Sequence, residues 1–339
     1  MSMRKHKTIP IFVSHMGCSN DCAFCNQRTI TGHSTAVTPE RAEQIISESL
    51  KTLPENTKVE IGFFGGSFTG IEESLQRSLL SIAQKYVKSG QVEGIRLSTR
   101  PDYINDRVMD TLKEFHVETV ELGAQSMDNT VLAKNLRGHT AEDTVAAVEM
   151  IRNAGIRPGL QMMTGLKGDT DAICIETARK MIELSPACVR IYPTLVLKGT
   201  RLDAWYQSNE YAPQNLEDAV ALCATLKTMF DDADIPVIRV GLMASDQVNP
   251  DCDVVAGPYH PAFGELVQSE IYFRKVREQV QGDAAVAVHP SSVSAFIGNK
   301  RKNINRFREM GYDIRFIQDK TVSPGDFQIM KQKGGITCG

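Results

Sequence analysis

The sequence reads as an α/β protein, with six strand-helix repeats building a parallel sheet through about residue 240 and a smaller α+β extension after it. Three observations predict this. Short β-rich runs alternate with longer helical patterns, which is the signature of βαβ units. The helical stretches carry their own start and stop residues. The loops that concentrate Cys, Gly and polar residues all follow strands, where barrels and doubly wound sheets alike gather their ligands. Periodicity does not choose between those two architectures.

In chain order, the first strand is expected at residues 9–13, followed by a helix that Thr38 caps and Pro39 opens, running to about Leu53. The second strand is VEIGFF at residues 59–64, and its helix starts near Glu72 and stops at Gly90. Gly94–Thr99 is the third strand, with Asn105 capping the helix after it. The fourth is read at residues 119–124, and Thr140 and Gly155 bound a following helix. The fifth and sixth are read at residues 157–163 and 189–192. The extension holds a helix from about Glu265, a strand at Ala284–Val288, the polar turn at residues 289–292 and a basic helix.

A chain of 339 residues can bury a substantial core, and 42% hydrophobic with 23% charged residues is ordinary for a globular protein. No apolar run approaches the length that spans a bilayer, and the N-terminal MSMRKHKTIP lacks the apolar centre of a signal peptide, so a cytoplasmic protein without a membrane partner is expected. A formal charge of −3 gives no global attraction to nucleic acid, so RNA contact would need a local patch. Lys300, Arg301, Lys302, Arg306 and Arg308 are such a run, although a run of this kind is more often a solvated helix face.

The most informative segment is HMGCSNDCAFCNQ, which puts Cys18, Cys22 and Cys25 in one tight loop after the first strand. Thiolates suit zinc, copper(I) or iron-sulfur clusters. A 4Fe-4S cluster held by these three cysteines would keep one iron open to a substrate or cofactor. The alternative is a zinc knob closed by His15, although structural zinc sites usually join two separated ligand pairs and no second C-x2-C pair occurs. The other cysteines, Cys174, Cys188, Cys223, Cys252 and Cys338, are scattered singly, which argues against a disulfide framework. Phe24 is either core filler or an aromatic lid on a cofactor.

Further loops follow the later strands: Gly65, Gly66 and Ser67 in FFGGSFTG, Ser98 and Arg100 in LSTRPDYI, Gln125 and Ser126 in ELGAQSMD, and Gln161, Gly165 and Gly168 in QMMTGLKGD. Each alone would be an ordinary loop residue. Together they would line one mouth. Arg137 in NLRGHT reads either as a solvated helix-end cation or as a guanidinium clamp on a carboxylate. His260, His289, Tyr192 and Tyr259 are candidate site residues with equally good structural readings.

The cysteine loop resembles the three-cysteine motif of the radical S-adenosylmethionine (SAM) superfamily, with Ala23 where the first of two aromatic residues is usual. The resemblance implies a partial (β/α)6 TIM-like barrel over residues 1–240 with an α+β extension over residues 241–339. It implies a 4Fe-4S cluster on Cys18, Cys22 and Cys25 whose open iron is chelated by SAM, and reductive cleavage of SAM to a 5'-deoxyadenosyl radical that abstracts hydrogen. It implies a low-potential donor of flavodoxin or ferredoxin type. The Gly65-Gly66 turn and Ser67 fall where the superfamily holds the methionyl amine. Ser98, Gln125, Arg137 and Gln161 fall on the cofactor contacts of oxygen-independent coproporphyrinogen oxidase, where acidic residues are usual at the positions of Ser98 and Gln161. No residue is thereby assigned a catalytic role.

Between about residues 95 and 275, the segments TRPDY, AQSMDNTVLAKNLRGHTAEDT, MMTGLKG, IYPTLVLKGT and FGELVQSEI resemble the catalytic subunit of Elongator, a tRNA wobble-uridine modifying enzyme. This resemblance implies tRNA as the substrate. Two departures limit it: the cysteine spacing differs, and the Elongator subunit's acetyltransferase domain has no counterpart in this sequence, so carboxymethylation with acetyl-CoA is not implied. A non-catalytic iron-sulfur sensor and a zinc-stabilised RNA-binding protein are the competing functional readings.

Overall fold

The computed structural model describes residues 6–13, 17–18, 22–26, 37–54, 57–242 and 251–330. Its main sheet has seven parallel strands: β1 (His6–Phe12), β2 (Lys58–Phe64), β3 (Gly94–Thr99), β4 (Val117–Gln125), β5 (Arg157–Thr164), β6 (Cys188–Pro193) and, beyond the short β7 (Val196–Leu197), β8 (Val237–Val240). The spatial order is β1-β2-β3-β4-β5-β6-β8, without reversal. A doubly wound sheet reverses its order at a switch point, so the topology chooses the open, barrel-type winding. The seventh strand was not expected from the sequence. VIRV is short, half-exposed and follows Pro236, so it carries little of the apolar signal that marks the others.

The helices are α1 (Pro39–Thr52), α2 (Glu73–Lys88), α3 (Asp106–Glu114), α4 (Asn129–Lys134), α5 (Ala141–Asn153), α6 (Asp171–Glu183), α7 (Arg201–Gln207) and α8 (Leu216–Asp232). Their starts follow the expected chemistry. Thr38, Asn105 and Thr140 each accept a first-turn amide, and Thr140 forms a capping box with Asp143. Gly90 and Gly155 end their helices at φ +73° and +75°, with open space around them.

Each strand sends alternate side chains to opposite faces. One set, including Ile61, Phe63, Leu97, Val120, Leu122, Leu160 and Ile191, is buried under the helices. The other set faces the lumen and is polar. Glu121, 1% exposed, takes Arg96 Nη1 at 2.8 Å, Arg190 Nη2 at 2.9 Å and Gln161 Nε2 at 3.1 Å. Arg96 Nε also donates to Glu60 at 2.7 Å. Burial would raise the Glu121 carboxyl, but Arg190 and Arg96 hold it below the usual carboxylate range. Gly159 makes room for this network, since a Cβ there would stand 3.1 Å from Glu121 Cγ.

A second core lies beyond the barrel. Tyr272, Phe273 and Val276 on α9 (Phe263–Gln279) pack with a three-stranded sheet of order β11-β10-β12 (Ile314–Gln318, Ala284–Val288, Phe327–Met330) and with Phe296, Ile304 and Phe307. The last two residues sit on α11 (Lys302–Glu309), which follows α10 (Val293–Ile297); the antiparallel pair of β7 with β9 (Val254–Ala256) lies nearer the barrel mouth. The expected basic helix is split. Lys300 and Arg301 occupy left-handed backbone at φ +50° and +63°, and α11 begins only at Lys302. Lys302 pairs with Glu217 at 2.9 Å and Arg306 pairs with Glu270, so part of that charge is neutralised within the chain.

Candidate functional site

The loops that follow the strands interlock into a belt. Gly17 sits at φ +74° against the β2 loop, where a Cβ would stand 2.2 Å from the Ser67 carbonyl oxygen and 2.7 Å from Gly70. Cys18 Sγ lies 3.3 Å from Ser67 Oγ. Thr69 Oγ1 meets Thr99 Oγ1 at 2.6 Å and donates to the Tyr103 carbonyl, tying the β2 loop to the β3 loop.

On the other side, Ala23 N–H donates to the Asn135 carbonyl at 3.1 Å, and Leu202 N–H donates to the Ala23 carbonyl at 2.7 Å. The Asn135 side chain gives an N–H to the Lys167 carbonyl and accepts the Lys167 N–H, which binds the β5 loop to the same point. Asn26 Nδ2 reaches the Lys198 carbonyl at 3.2 Å. Phe24 packs with Val196, Leu202, Tyr211 and Trp205, so it anchors the cysteine loop to α7.

A buried cation stands behind Cys22, and a second lies in the β3 loop. Arg137, 6% exposed, donates from Nη1 to Cys22 Sγ at 3.1 Å and from Nη2 to the Gly123 carbonyl. That placement removes the reading of Arg137 as a solvated helix-end residue. Arg100, 3% exposed, makes a two-point pair with Asp102 and stacks on Tyr103. Beside them His139 is held neutral. Burial, then the charges of Arg137 and Arg100, lower its pKa to about 4, and Nε2–H donates to the Ala124 carbonyl at 3.2 Å.

Gln125 ends β4 in left-handed backbone at φ +67°, 9% exposed, and its Oε1 has no hydrogen-bond partner among the described residues. Gln161 and Ser98 meet each other at 3.4 Å, and Glu121 fixes the Gln161 amide from below. Gly65 turns at φ +84°, a left-handed backbone that glycine adopts without a Cβ penalty.

The architecture and the loop chemistry can be set beside known proteins. A sequence profile of the Radical SAM superfamily matches residues 13–181, and one of the Radical SAM C-terminal domain matches residues 186–272. The chain belongs to the radical SAM superfamily. It is therefore an enzyme of a family that works with a 4Fe-4S cluster and SAM. A tRNA uridine(34) acetyltransferase of Methanocaldococcus jannaschii is 28% identical over 192 residues, covering 51% of this chain and 36% of that protein. The chain thus spans little more than a third of that relative. An uncharacterised protein of the same archaeon is 29% identical over 256 residues, covering 71% of this chain and 76% of that one. The structure of archaeal Elp3 from Methanocaldococcus infernus superposes with a TM-score of 0.63 at 20% identity, covering 82% of this chain and 64% of that chain, and shares the fold. The resemblance to Elongator's catalytic subunit is borne out.

The residues present suit the radical SAM cofactors in two respects. The donor set is three thiols on one pinned loop, and two buried polar atoms, Gln125 Oε1 and Arg100 Nη1, have no partner among the described residues. Among the described residues no three His, Cys, Asp or Glu side chains are already gathered for a metal ion. His15 and Cys338 lie outside the described residues.

Several candidates have structural contacts of their own. His260 Nδ1 accepts the Ala262 amide and His289 Nδ1 accepts the Ser291 amide. Tyr259 packs against Leu195, Leu197 and Val254. Tyr192 lies in the lumen beside Arg190. Cys174, Cys188 and Cys223 are buried, and no described helix is long and apolar enough to cross a membrane.

Sequence reasoning passed over Gly17, Asn135 and the lumen charges. The last had a signal: VEI, IRL, VEL and VRI place one charged residue inside each of four apolar strands. A charge flanked by aliphatic residues in a parallel strand needs a partner across the sheet.

Proposed function

We propose that this enzyme holds an open-iron 4Fe-4S cluster on Cys18, Cys22 and Cys25 and uses SAM to abstract hydrogen from a tRNA substrate. The observation that carries the reading is the superfamily match over residues 13–181, together with the cysteine loop pinned at the mouth. When bound, the cluster and SAM supply a reductively generated 5'-deoxyadenosyl radical.

The chain's own residues bind and orient the cofactor. Main-chain groups of Gly65 and Gly66 and the hydroxyl of Ser67 take the methionyl amine. Gln125 Oε1 accepts from a ribose hydroxyl, with Ser98 and Gln161 beside it. Arg137 serves the carboxylate from its place at Cys22. The belt of loop hydrogen bonds holds the cysteine loop to its neighbours, and metal binding would complete the convergence of the thiols.

The relative's name, tRNA uridine(34) acetyltransferase, supports tRNA as the substrate class. The exposed cations Lys300 and Arg301 offer a phosphate contact that Lys302 and Arg306, already paired, supply less freely. The described cysteines form no disulfide with one another, which suits the reducing cytoplasm, where a flavodoxin or ferredoxin would deliver the electron.

The test is direct. Anaerobically reconstituted protein with dithionite and SAM should form 5'-deoxyadenosine, and Cys22→Ala should abolish it. Bulk tRNA should bind at low salt, weaken steeply with added salt, and bind less well to a variant with Lys300 and Arg301 neutralised. Wild-type-level product from Cys22→Ala removes the ligand assignment, and absence of tRNA binding at low salt removes the substrate.

A further inference from the structure

We infer that Arg100 is a positioning residue of the metal centre, donating its Nη1–H to the anionic sulfur environment at Cys22 and holding the cluster's reduction potential up together with Arg137. The inference rests on the proposal that Cys18, Cys22 and Cys25 hold an iron-sulfur cluster.

Arg100 is 3% exposed, and Asp102 takes Nε at 3.0 Å and Nη2 at 2.8 Å. Nη1 is buried and has no hydrogen-bond partner among the described residues. An unused donor on a buried cation costs stability unless an acceptor meets it. Arg100 follows Thr99, whose carbonyl oxygen would lie 3.7 Å from a Cβ on Gly123, and Arg137 reaches that same glycine while donating to Cys22, so the two arginines meet at the end of β4 beside the cysteine loop. Arg137 already donates to Cys22 Sγ. Asp102 fixes the direction of Arg100 by occupying the other side of its fork. Net charge, hydrogen bonds to sulfur and exposure set the potential of such clusters, and a buried cation favours the reduced, more negative state.

The paired residues give opposite signs. Arg100→Gln removes a cation and Asp102→Asn removes an anion, so they should move the potential in opposite directions. Ordinary structural damage would not.

The experiment is a redox titration of the anaerobically reconstituted proteins without SAM, followed by electron paramagnetic resonance, with SAM affinity measured separately by equilibrium binding. Arg100→Gln should show at least a tenfold smaller ratio of reduced to oxidised cluster at a fixed potential, ~59 mV for a one-electron couple, and Asp102→Asn should shift the opposite way. SAM affinity should change less than tenfold. Should Arg100→Gln fail to fold, the Asp102→Asn shift alone decides. Unchanged potentials, shifts of the same sign in both variants, or a large loss of SAM affinity at unchanged potential would each overturn the inference. Wild-type protein that takes up no iron and sulfide overturns the cluster reading as well, which sets that failure apart.

Discussion

Arg137 Nη1 donates to Cys22 Sγ at 3.1 Å, joining the loop after β4 to the loop after β1 across 115 positions of sequence. The same guanidinium reaches the Gly123 carbonyl, and Gly123 admits it because the nearest guanidinium nitrogen would lie 3.3 Å from a Cβ there. The cysteine loop is therefore held from behind by a buried cation.

Removing that cation should be felt without any cofactor. Arg137→Ala leaves a buried carbonyl without its donor and should lower stability by about 1–3 kcal/mol in urea titrations. Arg137→Lys keeps the charge but loses the two-pronged reach, so it should recover only part. Full recovery by lysine would show that charge alone matters at this position.

Gly17 should tolerate nothing larger. Alanine there combines left-handed backbone, worth roughly 1–3 kcal/mol of strain, with a Cβ 2.2 Å from the Ser67 carbonyl oxygen. The cysteine loop must move to relieve it, so iron uptake on reconstitution should fall severalfold. Iron uptake equal to wild type in Gly17→Ala would contradict the packing of these two loops.

The lumen network should be fragile to single changes. Glu121→Gln leaves Arg96 and Arg190 facing each other across a buried space, and breaking a buried pair by removing one partner costs roughly 3–5 kcal/mol. The urea midpoint should drop accordingly, and a loss below about 1 kcal/mol would mean that water already screens the network.

Acid should destabilise the fold through His139. Its folded pKa is lowered to about 4 by burial first and the neighbouring arginines second, while the unfolded chain protonates near 6.5. The unfolded state binds more protons between those values, so this stability is fully present above about pH 6.5 and is lost as pH falls towards 4, on the order of 3 kcal/mol in all. His139→Gln keeps a donor for the Ala124 carbonyl and should flatten that part of the pH dependence. Equal slopes for both proteins between about pH 7 and 4 would contradict it.

Much of this was legible in the sequence, for physical reasons. Caps such as Thr38 and Thr140 and stops such as Gly90 act locally, and local chemistry is written in adjacent residues. The order of polar loops after strands located the mouth, because parallel winding brings all strand ends to one side. What the sequence hid is long-range. Asn135 matters because three loops meet on it, and nothing in NLRG announces that. Arg137 reads as a surface residue until the fold buries it against Cys22. The basic run loses part of its free charge because Glu217 and Glu270 lie beside Lys302 and Arg306 in space and far from them along the chain. The strand β8 escaped because its four residues are half-exposed at the sheet edge.

The measurement that tests the central claim most directly is the iron and acid-labile sulfide content of oxygen-free, reconstituted protein, read beside Cys18→Ala, Cys22→Ala and Cys25→Ala. The account predicts about four of each per chain in the wild type and a marked loss in every variant. Stoichiometric zinc in place of iron, or unchanged iron and sulfide in the three variants, would contradict it.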